Sequence, residues 1–224
     1  MPWYAGIDYS MTSPAMCCHH TDDAKLSWYY MSTTKSKLKE SHNLHSALID
    51  IPKSVNEDLL EGSIYASFDR YNQIANWFMK IIDLHKPKMV FLEGYSLGST
   101  GKVFSIAENT AVLKQKLYDK GHYVSVFPPT VVKKFATDKG NASKQLMREE
   151  FFKINDIAAH RRLVEPRITD LHKVAKYVNS PMTDLIDAYY ICMYGVHLIQ
   201  HRGFGDDVPA AKYHMRIENL DLDS

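Results

Sequence analysis

Met89-Val90-Phe91-Leu92, followed at once by Glu93-Gly94, is a short unbroken apolar run that ends on an acid. A strand with one wet face alternates apolar and polar residues, whereas an unbroken run marks a strand covered on both faces. The flanking segments agree with a sheet layered by helices. Upstream, Ile64, Phe68, Tyr71, Ala75, Phe78 and Ile82 recur at helical spacing, which predicts an amphipathic helix over 63–85, punctuated by Pro87. Downstream, a Gly- and Ser-containing loop leads to a second helical pattern over 103–118, closed by Lys120-Gly121. A further strand is expected over 122–127, stopped by Pro128-Pro129, and helical patterns then cover 130–136, 143–153 and 181–199.

The first thirty residues read differently. Trp3, Ala5, Ile7 and Tyr9 alternate with other types, and a turn cluster follows over 10–14. Residues 15–20 and 26–31 are two more strand candidates, split by the polar run 21–25, so an antiparallel meander is expected. Residues 33–43 are polar and read as a loop or the start of an elaboration. The order is three strands, helix, strand, helix, strand, helices. It predicts an α/β fold: a mixed five-stranded sheet flanked by helices, antiparallel at first and parallel after.

Composition bounds the function. At 224 residues, with 45% hydrophobic, 12% aromatic and 24% charged residues, the chain is neither disordered, collagenous nor a coiled coil. Its longest mostly apolar stretch, 188–199, falls short of the roughly 20 residues that cross a bilayer, so no membrane partner is expected. No basic leader precedes Trp3, and three cysteines form no disulfide framework, which suits a reducing cytoplasm. The net charge of +1 hides an asymmetry. Between Thr130 and Lys176 stand eleven Lys and Arg against six Asp and Glu, whereas 203–224 holds five acids against two bases. A basic segment is either a solvated face or a hint of a polyanionic partner.

Four acids stand out. Asp8 lies in the first strand among apolar neighbours, and Glu93 ends the buried strand, at the carboxyl edge where α/β sheets bind ligands. Asp184 and Asp187, three apart at the start of the last helix, project from one face. With the two strands adjacent and the helix across them, four carboxylates converge. Such a cluster is tolerable around hard divalent cations such as Mg²⁺, and two such ions activate water and stabilise a leaving oxygen in phosphodiester cleavage. Read singly, each acid has an ordinary explanation: Asp184 and Asp187 complement a helix dipole after Ser180-Pro181, Asp8 forms a turn, and Glu93 is a solvated strand end.

Gly6-Ile7-Asp8-Tyr9-Ser10, Phe91-Leu92-Glu93-Gly94-Tyr95 and Thr183-Asp184-Leu185-Ile186-Asp187-Ala188 resemble, in order, the acidic motifs of RuvC-type Holliday junction resolvases. Pro128-Pro129-Thr130-Val131-Val132-Lys133-Lys134 with Gly140-Asn141-Ala142-Ser143-Lys144 is similar to that family's segment of DNA-contacting lysines. The resemblance implies an RNase H-like fold over 1–200, a homodimer, and metal-dependent nicking of four-way and other branched DNA. It implies Asp8, Glu93, Asp184 and Asp187 as catalytic residues and ligands of two Mg²⁺ ions, with Mn²⁺ as a substitute. Lys133 or Lys134, with Lys144, would meet the scissile phosphate.

The chain is longer than the compact bacterial enzymes between Asp8 and Glu93 and between Lys144 and Asp184. The second extension, near 155–178, carries Arg161, Arg162, Arg167 and Lys173 and is expected to touch DNA; 201–224 would be a tail. Ser96 stands where the bacterial enzyme carries a wedge aromatic, and the resemblance implies that the adjacent Tyr95 could substitute for it. This elaborated pattern looks more like the phage and viral branch, which would place the protein in a host cytoplasm.

Two other functions start from the same fold, an ATPase and a non-catalytic junction-binding protein. The ATPase needs glycines that Met11-Thr12-Ser13-Pro14 lacks, and the retained acids argue against the binding protein. Cys17-Cys18-His19-His20 offers zinc-ligand types, but neighbours on a strand point to opposite faces. Gly98-Ser99-Thr100-Gly101-Lys102 is too short for a phosphate loop and has Val103 where Mg²⁺ would need a hydroxyl. Tyr189, Tyr190 and Tyr194 fall at helical spacing and are read as core.

Overall fold

The computed structural model describes residues 2–34, 44–49, 64–95, 103–160 and 180–202. Arg161, Arg162, Arg167, Lys173, Ser96, the loop 98–102 and the tail beyond 202 lie outside them. The strands are β1 (Trp3–Asp8), β2 (Ala15–His20), β3 (Lys25–Ser32), β4 (Leu44–Leu48), β5 (Met89–Glu93) and β6 (Val124–Phe127). The helices are α1 (Ile64–His85), α2 (Val103–Asp119), α3 (Pro129–Thr137), α4 (Lys144–His160) and α5 (Met182–Arg202). Among the described residues no helix is long and apolar enough to cross a membrane.

The six strands form one sheet in the order β4-β3-β2-β1-β5-β6. The meander β1-β2-β3 is antiparallel, while β5 pairs with β1 and β6 with β5 in parallel. The expected five strands are present, and the sheet has a sixth. It is β4, parallel to β3 at the sheet edge. Only Leu44 of its five residues is buried, so no apolar alternation announced it; its place comes from pairing with β3.

Strand alternation sorts the core into two layers. Ala5, Ile7, Met16, Cys18, Val90 and Leu92 face α1 and α2, where Ile74, Phe78, Ile82, Leu113 and Leu117 cover them. Tyr4, Ala15, Cys17, Trp28, Met89 and Phe91 face α3, α4 and α5. Cys17 and Cys18 thus lie on opposite sides of the sheet. Phe68, counted toward the buried stripe of α1, is instead 39% exposed and leans on Tyr71. Tyr190 is buried as expected, with Tyr189 and Tyr194 packed against the same layer. Trp28 is clasped between Tyr189, with ring centroids 5.8 Å apart, and Phe151 at 6.2 Å.

α5 lies directly on the centre of the sheet. A Cβ on Gly6 of β1 would stand 2.3 Å from the backbone nitrogen of Cys192 and 2.4 Å from the carbonyl oxygen of Ala188. A Cβ on Gly195 would stand 2.4 Å from the Phe91 ring. Gly6 lets the helix and strand backbones touch, Gly195 makes room for the Phe91 ring, and the Cys192 thiol donates to the Tyr4 carbonyl at 3.6 Å. Gly6 meets backbone and Gly195 meets a side chain, so their replacements should differ. Gly6→Ala is expected to cost more than the roughly 1–3 kcal/mol typical of overpacking, and trimming a neighbouring side chain should not restore it. Gly195→Ala should cost less, and Phe91→Leu should recover part of the loss. Urea unfolding of the three variants checks this ordering.

Candidate active site

Alternation along β1 puts Asp8 on the face of Tyr4 and Gly6, and alternation along β5 puts Glu93 on the face of Met89 and Phe91. The parallel register Ile7 to Leu92 sets the two acids side by side at the carboxyl edge of the sheet. On α5, Asp184 and Asp187 continue the stripe of Ala188 and Cys192 that rests on Gly6. The close helix–strand contact therefore aims both aspartates at the end of β1. One carboxylate oxygen from each of Asp8, Asp184 and Asp187 lies within 4.8 Å of the others. Glu93 is not one of these three; it borders the same space with Asp8 and Asp187.

The electrostatics record the crowding. Burial first, then the charges of Asp187, Asp184 and Glu93, hold the Asp8 carboxyl well above its ordinary value, against the pull of Lys144. Asp187 is raised mainly by burial, with Asp184 adding and Lys144 opposing. Burial and Asp187 push Glu93 up to about 7, while Lys133 and Lys144 work against the shift.

Lys144 is the counter-charge. Its ammonium donates to Asp184 Oδ1 at 3.0 Å and stands 3.5 Å from Asp187 Oδ2. Partial desolvation disfavours its charge, but Asp184, Asp187 and Asp8 outweigh that and raise it above the usual lysine range. Lys144 opens α4, where the Ser143 hydroxyl accepts from the Leu146 N–H at 3.2 Å. A cation there opposes the helix dipole; the facing acids account for it. The Ser180 hydroxyl donates to Asp184 Oδ2 and fixes that buried carboxylate from its other side.

Two clefts meet at Asp8 and Lys144. One, of about 590 Å³, is lined by Ser10, Thr12, Ser13, Gln145, Arg148, Ser180, Thr183 and Asp184. The other, of about 440 Å³, adds Glu93, Tyr95, Val103, Ile106, Val132, Lys133, Met147 and Asp187. The turn after β1 that borders both is tied to α1, because the Arg70 guanidinium donates to the Met11 carbonyl. Lys133 thus joins the acids, whereas Lys134 is exposed and lines neither cleft. Tyr95 is 42% exposed at the mouth of the second cleft, with the Lys114 ammonium 5.0 Å from its ring centroid. Sequence reading passed over Arg148; its spacing of four from Lys144 was the available signal.

The donor set suits a hard cation. All its groups are carboxylate oxygens, and three of them are held together at a cost that burial and mutual repulsion set, offset among the described residues by lysine charge and the Ser180 hydroxyl.

No protein-family model matches the chain, and no curated protein does so. Solved structures do. The chain is similar to Thermus thermophilus RuvC in complex with a Holliday junction substrate, with a TM-score of 0.52 and 12% identity over 89% of this chain and 96% of that one. It is similar to another structure of that RuvC, with a TM-score of 0.50 and 12% identity over 88% of this chain and 95% of that one. The yeast mitochondrial Holliday junction resolvase matches with a TM-score of 0.52 and 14% identity over 90% of this chain and 82% of its own. The fold is RuvC-like, of the RNase H type, as the sequence motifs implied.

A carboxyl held above its ordinary value keeps its proton longer in the folded chain than in the unfolded one. Ionised Glu93 therefore takes stability from the fold as pH rises from about 4.5 to about 7. In chelating buffer Glu93→Gln should be more stable than the unsubstituted protein at pH 8, by on the order of 2 kcal/mol. That advantage should vanish by pH 4.5. Denaturant titrations at both values test it, and an equal advantage at both would mean that Glu93 is not under this strain.

Proposed function

We propose that this chain is a structure-selective DNA endonuclease that resolves four-way junctions and cuts related branched DNA. The observation that carries the reading is the convergence of Asp8, Asp184 and Asp187 within 4.8 Å at the carboxyl edge of a RuvC-like sheet. The similar structures are, by their own descriptions, RuvC bound to a Holliday junction and a mitochondrial Holliday junction resolvase. In this reading residues 1–200 form one nuclease domain acting in the cytoplasm, and 155–178 add DNA contacts through Arg161 and Arg162.

Asp8, Glu93, Asp184 and Asp187 would hold two Mg²⁺ ions, with Mn²⁺ as a substitute. Such ions, when bound, supply an activated water and stabilisation of the leaving oxygen. The rest falls to the chain itself. Asp184, buried and bonded to Ser180, is a fixed oxygen donor rather than a mobile one. Lys144 has a side chain 59% exposed, so its ammonium can turn from the aspartates to a phosphate that enters the groove. Lys133 lines the same cleft and would share that anion. Tyr95 offers an exposed ring on which a base freed from its stack can rest.

Cleavage of a synthetic four-way junction with Mg²⁺, and none with chelator, is the expected result. Asp8→Asn removes a ligand charge and barely changes shape. It should retain junction binding while cleavage falls more than about 100-fold, the scale of several kcal/mol of lost charge stabilisation. Undiminished cleavage by that variant would overturn the assignment of Asp8.

A four-way junction is two-fold symmetric, so paired nicks need two sites related by a two-fold axis. Phe104 at the start of α2 and Leu84 near the end of α1 are 79% and 71% exposed, apolar surface that a second copy would cover. Sedimentation of the protein with its junction should report two chains per DNA; one chain per junction would remove the homodimer.

A further inference from the structure

Arg148 stands in the first cleft with no role in the acid cluster. It follows Lys144 by four residues on α4, one helical turn or about 6 Å further from the carboxylates, and both side chains line the space that Asp8 and Asp184 border. Lys144 carries the ion pairs to Asp184 and Asp187. Arg148 has no such task. Among the described residues its Nη1 is shut from solvent and has no hydrogen-bond partner.

A guanidinium stays charged at any physiological pH, and a buried N–H of a charged group left unmatched is costly. Such a group is retained where a turn of the guanidinium into the cleft it lines lets something else complete it. The cleft indicates what. Beside Arg148 stand Gln145, Ser10, Thr12 and Ser13, all able to donate to an oxyanion. The Ser10 hydroxyl already accepts from the Ser13 N–H at 3.0 Å, which holds that wall in place. A planar fork of donors with hydroxyls around it suits a phosphodiester oxygen pair.

We propose that Arg148 is a substrate-positioning residue that grips the phosphate next to the scissile one on the cut strand. This deepens the nuclease reading and rests on it. With Lys144 on the scissile phosphate, a helical turn between the two cations matches one step along a strand. Two consecutive phosphates held by one rigid helix fix the direction in which the strand crosses the carboxylates. Arg148 touches no reacting atom, so its effect lies in the placement of the strand.

The test is a chemical double-mutant cycle on the full-length protein. The cut position is mapped first on a synthetic four-way junction in Mg²⁺. Single neutral methylphosphonates are then placed one at a time at the phosphates on either side of it. For the unsubstituted protein, one flanking position should slow single-turnover cleavage about tenfold to a hundredfold, the scale of a lost charge-assisted hydrogen bond. Arg148→Gln should slow cleavage of the natural junction by a similar factor, with its melting temperature held. In that variant the same methylphosphonate should add less than about twofold, because the contact is already gone.

Arg148→Lys keeps the charge and stem but loses the fork. It replaces the glutamine variant if that one fails to fold, and the sensitive position should again lose most of its effect. Equal slowing by every methylphosphonate in variant and unsubstituted protein would overturn the assignment and leave the nuclease reading standing. So would a lowered melting temperature with unchanged cleavage, since the arginine would then only cover the core. No cleavage of any branched DNA by the unsubstituted protein would overturn both.

Discussion

The carbonyl oxygen of Ala188 and the amide nitrogen of Cys192 press against Gly6, where even a methyl group would overlap them. This contact between the backbones of α5 and β1 sets the depth at which the helix lies on the sheet. The depth in turn sets how near the first turn of α5 comes to the end of β1. Asp184 and Asp187 reach Asp8 because nothing bulkier than hydrogen separates helix from strand two residues below. Gly195 makes a second close approach one strand over, against the ring of Phe91 rather than backbone. Two glycines in unrelated segments thus set how closely α5 lies on the sheet, although neither carries chemistry.

Holding carboxylates at that distance works against folding, and the molecule shows how it is tolerated. Asp8, Asp187 and Glu93 all sit above their ordinary values. One ammonium, on Lys144, spans the two aspartates of α5, and the charge of Lys133 acts on Glu93. Lys144 and Lys133 together do not offset the burial and mutual repulsion of these acids, whose carboxyls stay above their ordinary values. The cluster is therefore under-compensated in its ionised form, and its oxygens could hold a cation.

Much of this was legible in the sequence, for physical reasons. Strands buried on one or both faces write their periodicity into the chain, so β1, β2, β3 and β5 could be read, and Asp8 and Glu93 with them. β6 has no buried residue and was legible from the Pro128-Pro129 that stops it. The pair Asp184 and Asp187 followed from helix geometry alone. β4 was not legible, because four of its five residues are not buried and an edge strand needs no apolar code. Gly6 and Gly195 could not be seen as contact points, since no local pattern says which strand will lie beneath which helix turn. Lys133 could not be told from Lys134 until α3 was set against the sheet, which turns the first toward Glu93 and leaves the second exposed. Arg148 was hidden for the same reason: a basic residue on an amphipathic helix looks like any solvated charge until its guanidinium is found inside a cleft.

The two clefts differ in kind, and the difference follows from the layers around them. The first is walled by the polar turn after β1 and the starts of α4 and α5, so hydroxyls, an amide and a guanidinium face it. The second opens between the end of β5, α2, α3 and α4, which bring Tyr95, Val103, Ile106, Val132 and Met147 to it beside Glu93, Lys133 and Lys144. A nucleotide has the same division, with an anionic backbone on one side and an apolar base face on the other. For the proposed substrate, paired and stacked DNA would hide its base faces and offer only its backbone to the first cleft. A branch point would break the stack, and one strand crossing the carboxylates would then fill both clefts. Under that proposal, selectivity for branched DNA would need no reading of base edges. It would follow from one wall of hydroxyls, an amide and a guanidinium and another that also carries Tyr95, Val103, Ile106, Val132 and Met147.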